Sequence, residues 1–185
     1  MTDMDALLKA YTRFVALPWT SNLPAPQRVW LVIYQPSDER RLRARVAAFA
    51  VATSQAEKSW KLVDITDGFA EWLSSHPYRD TYFKQPAMLS AAALRDYEKA
   101  VVSQVIAQAG SAINDPEAVV AVLGAGSLFP FTKVSKLIEA LAPQVAGRLV
   151  IFFPGDRDGS NYRLLEARDG WNYLATPITA SEGTS

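Results

Sequence analysis

The sequence predicts an α/β domain of three layers, with helices on both faces of a mostly parallel sheet of about five strands. Short runs of consecutive apolar residues, typical of strands buried on both faces, recur along the chain. They alternate with segments whose apolar residues repeat at helical spacing, which indicates βαβ units. The 185 residues suffice for one domain with its own core. Since no internal repeat is present, we interpret residues 1–185 as a single domain.

The first third of the chain predicts two helices and two strands. Apolar residues between 4 and 15 fall on one stripe and predict an added N-terminal helix, which a Pro-rich loop over 18–26 follows. The apolar run 29–34 predicts the first buried strand. Helical spacing then continues from 42 to about 58, and residues 62–65 predict the second strand.

The middle of the chain departs from the regular alternation. A short helix is predicted over 67–75, and a longer one from residue 94 to about 110. Between them, residues 76–88 contain two prolines and several aromatic residues at no regular period. We therefore interpret 76–88 as an excursion from the α/β pattern.

The last third restores the alternation. Buried strands are predicted at 119–123 and 149–153, with an amphipathic helix between them that ends before Pro143. Pro154 and Gly155 should break the second of these strands. A short fifth strand is predicted at 172–175, stopped by Pro177, and the small polar residues from about 179 predict a frayed end.

Composition excludes several classes of function. The 19 basic and 19 acidic residues give no net charge, which argues against direct binding of nucleic acid, because phosphate affinity depends on accumulated positive charge. Without cysteine the chain has no disulfide, thiolate nucleophile or zinc ribbon. The acidic N-terminus does not resemble a signal peptide, and no apolar run approaches the ~20 residues of a membrane helix. We therefore expect a cytoplasmic protein with no membrane contact.

A glycine pair follows the third predicted strand, where nucleotide-binding loops lie. Gly124 and Gly126 match the first two glycines of a dinucleotide fingerprint, but Phe129 occupies the place of the third. The loop also has no Lys where a phosphate loop requires one. A structural turn is therefore favoured over a ligand loop, and a ligand loop involving Gly124, Gly126 and Asp64 stays as the alternative.

Four acidic residues are predicted at one edge of the sheet, but no signature spacing connects them. Asp64 and Asp67 belong to the end of the second strand, while Asp156 and Asp158 follow the fourth. Carboxylates gathered there would suit Mg²⁺. Solvent exposure or turn formation explains them more simply, so we expect neither a metal nor another cofactor. The single histidine, His76, lies in the excursion without a Gly-x-Ser-x-Gly nucleophile motif elsewhere, and no catalytic residue is predicted.

Large aromatic residues in irregular segments are the main candidates for partner binding. Loops contain such residues when they fold onto the core or bury against another protein. The candidates are Trp19, Tyr78, Tyr82, Phe83 and Trp171. Arg41 and Arg45, one helical turn apart, are a further candidate contact for an acidic partner, although a solvated helix face is the common explanation.

Four motifs follow one another in the C-terminal third of the chain. A strand leads into Gly124-Ala125-Gly126-Ser127-Leu128-Phe129-Pro130, and a second strand ends in Phe153-Pro154-Gly155. The leucine-containing stretch 161–165 and the Trp-Asn-Tyr at 171–173 follow. In this order the motifs resemble the BrxB family of BREX bacteriophage-exclusion systems. That family has no established catalytic motif, so the resemblance implies no active-site residues.

What the resemblance implies is a bacterial defence context. Family members occur beside a PglZ-like protein of the alkaline phosphatase superfamily, a DNA methyltransferase, a large ATPase and a Lon-like protein. The resemblance thus implies a non-enzymatic adaptor or structural component whose partners are other BREX proteins, above all the PglZ-like component. A degenerate nucleotide- or phosphate-binding domain with a regulatory role is the alternative.

Overall fold

Five parallel strands form the centre of the structure, a computed structural model that describes residues 3–165 and 170–183. The strands of the described residues are β1 (Val29–Tyr34), β2 (Ser59–Asp64), β3 (Ala118–Leu123), β4 (Arg148–Asp158), β5 (Asn161–Leu164), β6 (Trp171–Asn172) and β7 (Thr176–Ile178). The order across the sheet is β2-β3-β4-β1-β7, and each neighbouring pair is parallel. The prediction of a mostly parallel sheet of about five strands is confirmed.

Helices cover both faces of this sheet. They are α1 (Asp3–Ala16), α2 (Glu39–Gln55), α3 (Gly68–Ser75), α4 (Arg79–Lys84), α5 (Ala91–Ala109) and α6 (Val134–Leu141). One core lies between the sheet and α1 with α2, and the other lies between the opposite face and α3, α5 and α6. The three layers and the added N-terminal helix are as predicted. None of the helices in the described ranges has the length and apolar character needed to cross a bilayer.

The continuous apolar runs form the interior of the sheet. Every residue of β1 and β3 is buried, as are the first eight residues of β4. These three strands lie side by side, so each is covered by a neighbour on both edges and by helices on both faces. Full burial of a Val, Leu, Ile or Phe side chain stabilises the fold by about 1.5–3 kcal/mol, which explains why no polar residue interrupts the runs.

The predicted fifth strand was wrong in position. Trp171–Asn172 pairs with β5, while the parallel strand is Thr176–Ile178, and Pro177 lies inside it opposite Leu31. Proline removes a backbone donor, but β7 is an edge strand whose outer groups need no partner. Pro177 therefore does not stop the strand.

The end of β4 also differs from the prediction. The strand continues through Pro154 and Gly155 to Asp158, because β5 replaces β1 as its partner beyond Pro154. A Cβ atom added to Gly155 would lie 2.0 Å from the carbonyl oxygen of Arg163. The glycine thus permits the close approach of β5 rather than breaking the strand.

The last described residues lie beside helix α1. Residues Ala180–Gly183, in the segment predicted to be frayed, form one turn of 3-10 helix against α1. There Nη1 of Arg13 donates a hydrogen bond of 2.9 Å to the carbonyl oxygen of Glu182. Residues 184–185, the rest of that predicted tail, are outside the described residues.

Candidate functional site

Three large apolar side chains are exposed in the excursion between α3 and α5. Tyr78 is 65% exposed, Phe83 62% and Met88 55%. We refer to these three residues as the excursion surface. The chain leaves α3 here because His76 precedes Pro77, and a residue before proline favours the extended conformation that His76 adopts (ψ 137°).

Rings beneath the excursion surface connect it to the core. The His76 ring lies 5.0 Å from the ring of Trp72 and 5.1 Å from that of Tyr82. Nδ1 of His76 accepts a hydrogen bond of 3.1 Å from the backbone N–H of Tyr78. Trp72 in turn packs on the buried ring of Tyr97 at 5.5 Å. The lone histidine therefore has a packing role, and Tyr82 belongs partly to this inner layer.

Trp19, a candidate for partner binding, folds back onto the domain. Its Nε1 donates a hydrogen bond of 3.2 Å to the carbonyl oxygen of Val15, and its ring contacts Trp30 edge-on at 5.8 Å. Cations lie over the same ring, with Lys58 Nζ at 4.7 Å and Arg148 Cζ at 4.5 Å. Contacts within the fold account for this tryptophan.

Trp171 is likewise part of the domain's own packing. Its ring lies 5.3 Å from Tyr162 and 5.7 Å from Phe153, at the margin of the core that α3, α5 and α6 cover. Its Nε1 is buried, with no hydrogen-bond partner among the described residues. Of the five candidate aromatics, Tyr78 and Phe83 are the two that are more than half exposed.

Arg41 and Arg45 both point to solvent from α2. Arg41 pairs with Asp38 at 2.8 Å and Arg45 with Asp5 at 3.0 Å. Exposed ion pairs of this kind contribute about 0–1 kcal/mol, so neither is needed for the fold. Both guanidinium groups are accessible to another molecule.

The glycine loop is shaped by its neighbours in the domain. Gly124 has φ +90°, and a Cβ added there would lie 2.5 Å from Oγ1 of Thr66 and 2.8 Å from its backbone nitrogen. The Ser127 hydroxyl donates to the carbonyl oxygens of Gly124, at 2.7 Å, and Ile65, at 3.2 Å. A Cβ added to Gly126 would meet Pro154 at 3.3 Å. The tight turn after β3 and its close contacts therefore account for both glycines.

Asp64, the acidic member of the alternative ligand loop, belongs to a polar network. One carboxylate oxygen accepts a hydrogen bond of 2.9 Å from the Thr66 backbone N–H, and the other accepts one of 3.0 Å from Arg43. Arg43 also donates to Thr66 Oγ1 at 2.7 Å and to Glu39 at 2.7 Å. Partial burial would raise the pKa of Asp64, but the bonds from Thr66 and the Arg43 charge outweigh it and hold that pKa below the usual value.

A cavity of about 310 Å³ lies beside this network at the carboxyl edge of the sheet. Its lining includes Glu39, Arg43, Thr66, Ser127 and Leu165. The edge is where open parallel sheets bind ligands. In residues 3–165 and 170–183, no three His, Cys, Asp or Glu side chains are placed to hold a metal ion.

The other three acids predicted at this edge lie outside this network. Asp156 accepts a hydrogen bond of 2.9 Å from Gln35 at the end of β1, while Asp158 lies in the β4–β5 hairpin. Asp67 is exposed at the start of α3. Solvent exposure and local turns account for these residues.

Met88 and Phe129 were missed in the sequence. Met88 lies in the same irregular segment as Tyr78. A search for large apolar residues in irregular segments that included methionine would have identified it. Phe129 is 51% exposed beside a cis peptide bond to Pro130, and its neighbour Phe131 stacks on Phe69 at 3.6 Å. Two phenylalanines so close in sequence give no sign of which one faces inward.

A model for the family described as BREX protein BrxB matches residues 61–178, which is more than half of the chain. The match includes α3 to α6, the excursion surface and the glycine loop. No curated protein sequence matches the chain. No solved structure matches it either.

Proposed function

The chain belongs to the BREX protein BrxB family, and from that premise we propose that it is a non-enzymatic adaptor that binds the PglZ-like component of its BREX system. A protein of such a system acts among other components, so binding surfaces are the features to examine first. The excursion surface is the observation that supports the proposal. It lies within the segment that matches the family.

Exposure of Tyr78, Phe83 and Met88 is costly for a protein without a partner. Large apolar side chains left in water forgo about 25 cal/mol for each Å² that a partner would cover. Aromatic residues are also enriched at the centres of protein interfaces, where truncation of one hot spot costs about 2 kcal/mol or more of binding. His76 beneath the surface accepts a hydrogen bond from the Tyr78 backbone N–H and lies 5.8 Å from the Tyr78 ring, which orders Tyr78 before binding and lowers the entropy lost on association.

Charge supplies a second contact for the same partner. Arg41 and Arg45 are exposed cations whose ion pairs contribute little to the fold. An acidic partner surface would gain from both. Replacement of both residues by glutamate then weakens the association, and the loss shrinks as salt screens the charges.

Co-purification with the PglZ-like component tests the proposal. Phe83→Ala and Tyr78→Ala should each weaken the complex by about 30-fold or more, the equivalent of about 2 kcal/mol, while their melting curves stay unchanged. Leu174→Ala is the matched control, since Leu174 is 75% exposed in a different segment. Retention of full binding by both excursion variants would disprove the proposed surface.

The cavity beside the glycine loop keeps a phosphate- or nucleotide-binding role as the alternative. Contacts around the glycine loop favour the adaptor. Arg43 and Thr66 already bond to Asp64, and the close approach of Thr66 to position 124 already accounts for a glycine there. A nucleotide with Mg²⁺ at 100 times its dissociation constant would add about 2.7 kcal/mol of stability. A saturable rise of the melting temperature with a nucleotide would support the alternative over the adaptor.

A further inference from the structure

A charged residue stands at the start of each of four neighbouring strands. In the order β2-β3-β4-β1 these residues are Lys58, Glu117, Arg148 and Arg28. The strands are parallel, so their amino ends share one edge of the sheet, opposite the edge with the glycine loop. Lys58 and Glu117 form an ion pair with each other. Three cations and one acid leave an excess of two positive charges on this row.

Arg148 is buried although it carries a charge, and it is only 5% exposed. Within residues 3–165 and 170–183 it makes one hydrogen bond, of 3.2 Å from Nη1 to the Gly147 carbonyl oxygen, and no ion pair with a carboxylate. A guanidinium group has five N–H donors. Burial of a charge is unfavourable unless hydrogen bonds and an opposite charge compensate for it. Arg148 therefore has both donors and charge available for an anion.

Two tryptophan rings hold the Arg148 guanidinium group in place. Its Cζ lies 4.5 Å from the centre of the Trp19 ring and 5.8 Å from that of Trp30. Such contacts stabilise the charge but give no oxygen acceptor to the N–H groups at Nε and Nη2. These two nitrogens are not fully buried, so both reach solvent. The rings thus fix a guanidinium group in advance whose free donors are accessible, which lowers the entropy lost when an anion binds.

Arg28 supplies the second positive charge. Its three nitrogens donate to backbone oxygens at 2.6–3.3 Å. The acceptors are the carbonyl oxygens of Leu23, Ala142 and Val145. Neutral carbonyl groups fix the position of a guanidinium group without balancing its charge. Burial, and after it the Arg28 charge, lower the pKa of Arg148, while Glu117 acts in the opposite direction. The two guanidinium groups are therefore close enough for their charges to repel each other.

We propose that Arg148 and Arg28 bind phosphate at the amino edge of the sheet. The dianion would balance the two excess positive charges, and its oxygens would accept hydrogen bonds from the free N–H groups of Arg148. Arg148 supplies the hydrogen bonds, whereas Arg28 contributes charge. The site is separate from the cavity beside the glycine loop, and it does not depend on the proposed binding of a BREX partner.

Thermal unfolding with inorganic phosphate tests the site. Sodium chloride is exchanged for sodium phosphate at constant ionic strength, so that screening stays the same. Phosphate at ten times its dissociation constant should raise the Tm by about 3–6 °C. The shift should saturate, unlike the general stabilisation of folded proteins by phosphate, which all variants share.

Two variants locate the bound anion. Arg148→Met keeps the apolar stem but removes the charge and the donors, so the saturable shift should disappear. Arg95→Met is the matched control, because Arg95 is exposed on α5 at the other face of the sheet. This variant should keep the wild-type shift. A saturable shift that is absent from the wild type up to about 100 mM phosphate, or that Arg148→Met retains, would overturn the proposal.

Calorimetric titration of phosphate into the folded chain gives an independent result, which also serves if Arg148→Met fails to fold. Arg148→Lys keeps the charge but replaces the planar fork of donors, so it should weaken phosphate binding by about threefold or more. Glu117→Gln removes the acid from the row and should strengthen phosphate binding by about twofold or more. Unchanged affinity in Arg148→Lys, or weaker binding in Glu117→Gln, would contradict a site built on these charges.

Discussion

Replacement of Gly124 by alanine separates a structural turn from a ligand loop. The residue has φ +90°, a conformation that costs an L-residue about 1–2 kcal/mol. The added methyl group would also meet the Thr66 backbone nitrogen at 2.8 Å, which cannot move without disturbing the end of β2. Overpacking of this kind costs about 1–3 kcal/mol. Gly124→Ala should therefore destabilise the domain by about 2–5 kcal/mol in total.

Gly159 provides a matched control. It also has a positive φ, +60°, but no atom lies within 4 Å of the position that a Cβ would take. Gly159→Ala therefore carries the conformational cost of about 1–2 kcal/mol alone. The entropy that alanine removes from the unfolded chain is common to both variants and cancels in the comparison.

Thermal and urea unfolding of the two variants measure the difference. For a domain of this size, 1 kcal/mol corresponds to about 2–4 °C in Tm. Gly124→Ala should melt about 2–12 °C below Gly159→Ala, the equivalent of the 1–3 kcal/mol contact with Thr66. Equal melting temperatures would refute the close approach and would leave ligand binding as the explanation for Gly124.

Two further predictions concern buried and partly buried polar groups. Tyr97 has a buried hydroxyl with no partner among the described residues, and burial raises its pKa to about 12. Tyr97→Phe should leave the free energy of unfolding in urea unchanged or raise it by about 1 kcal/mol. Tyr11→Phe loses a 2.6 Å hydrogen bond to Thr53 and should lower the free energy of unfolding by about 1 kcal/mol. The pKa of Asp64 is lowered in the fold, so its ionised form stabilises the protein above the usual pKa of 3.8, and that contribution is lost as the pH falls through the lower folded value. Asp64→Asn should therefore destabilise the protein at pH 7 and have a smaller effect below pH ~4, and a constant difference across that range would contradict the network with Arg43.

Burial explains which parts of the fold could be predicted from sequence. Strands β1 and β3 and residues 149–153 of β4 are covered on all sides, so each residue there must be apolar and the run is visible without any partner. Strands β2 and β7 are edges, where polar side chains and even Pro177 are tolerated. Their bounds depend on which neighbour they pair with, and the local sequence contains no signal for that neighbour.

Contacts within the fold also decide which candidate site residues could be predicted from sequence. Trp19 and Tyr78 both lie in irregular segments, and the sequence predicted a similar role for them. In the structure the Trp19 ring contacts both Arg148 and Trp30, while Tyr78 is exposed to solvent. Trp19 is covered by Arg148, which lies more than a hundred positions away in the sequence. That contact becomes visible only once the chain has folded.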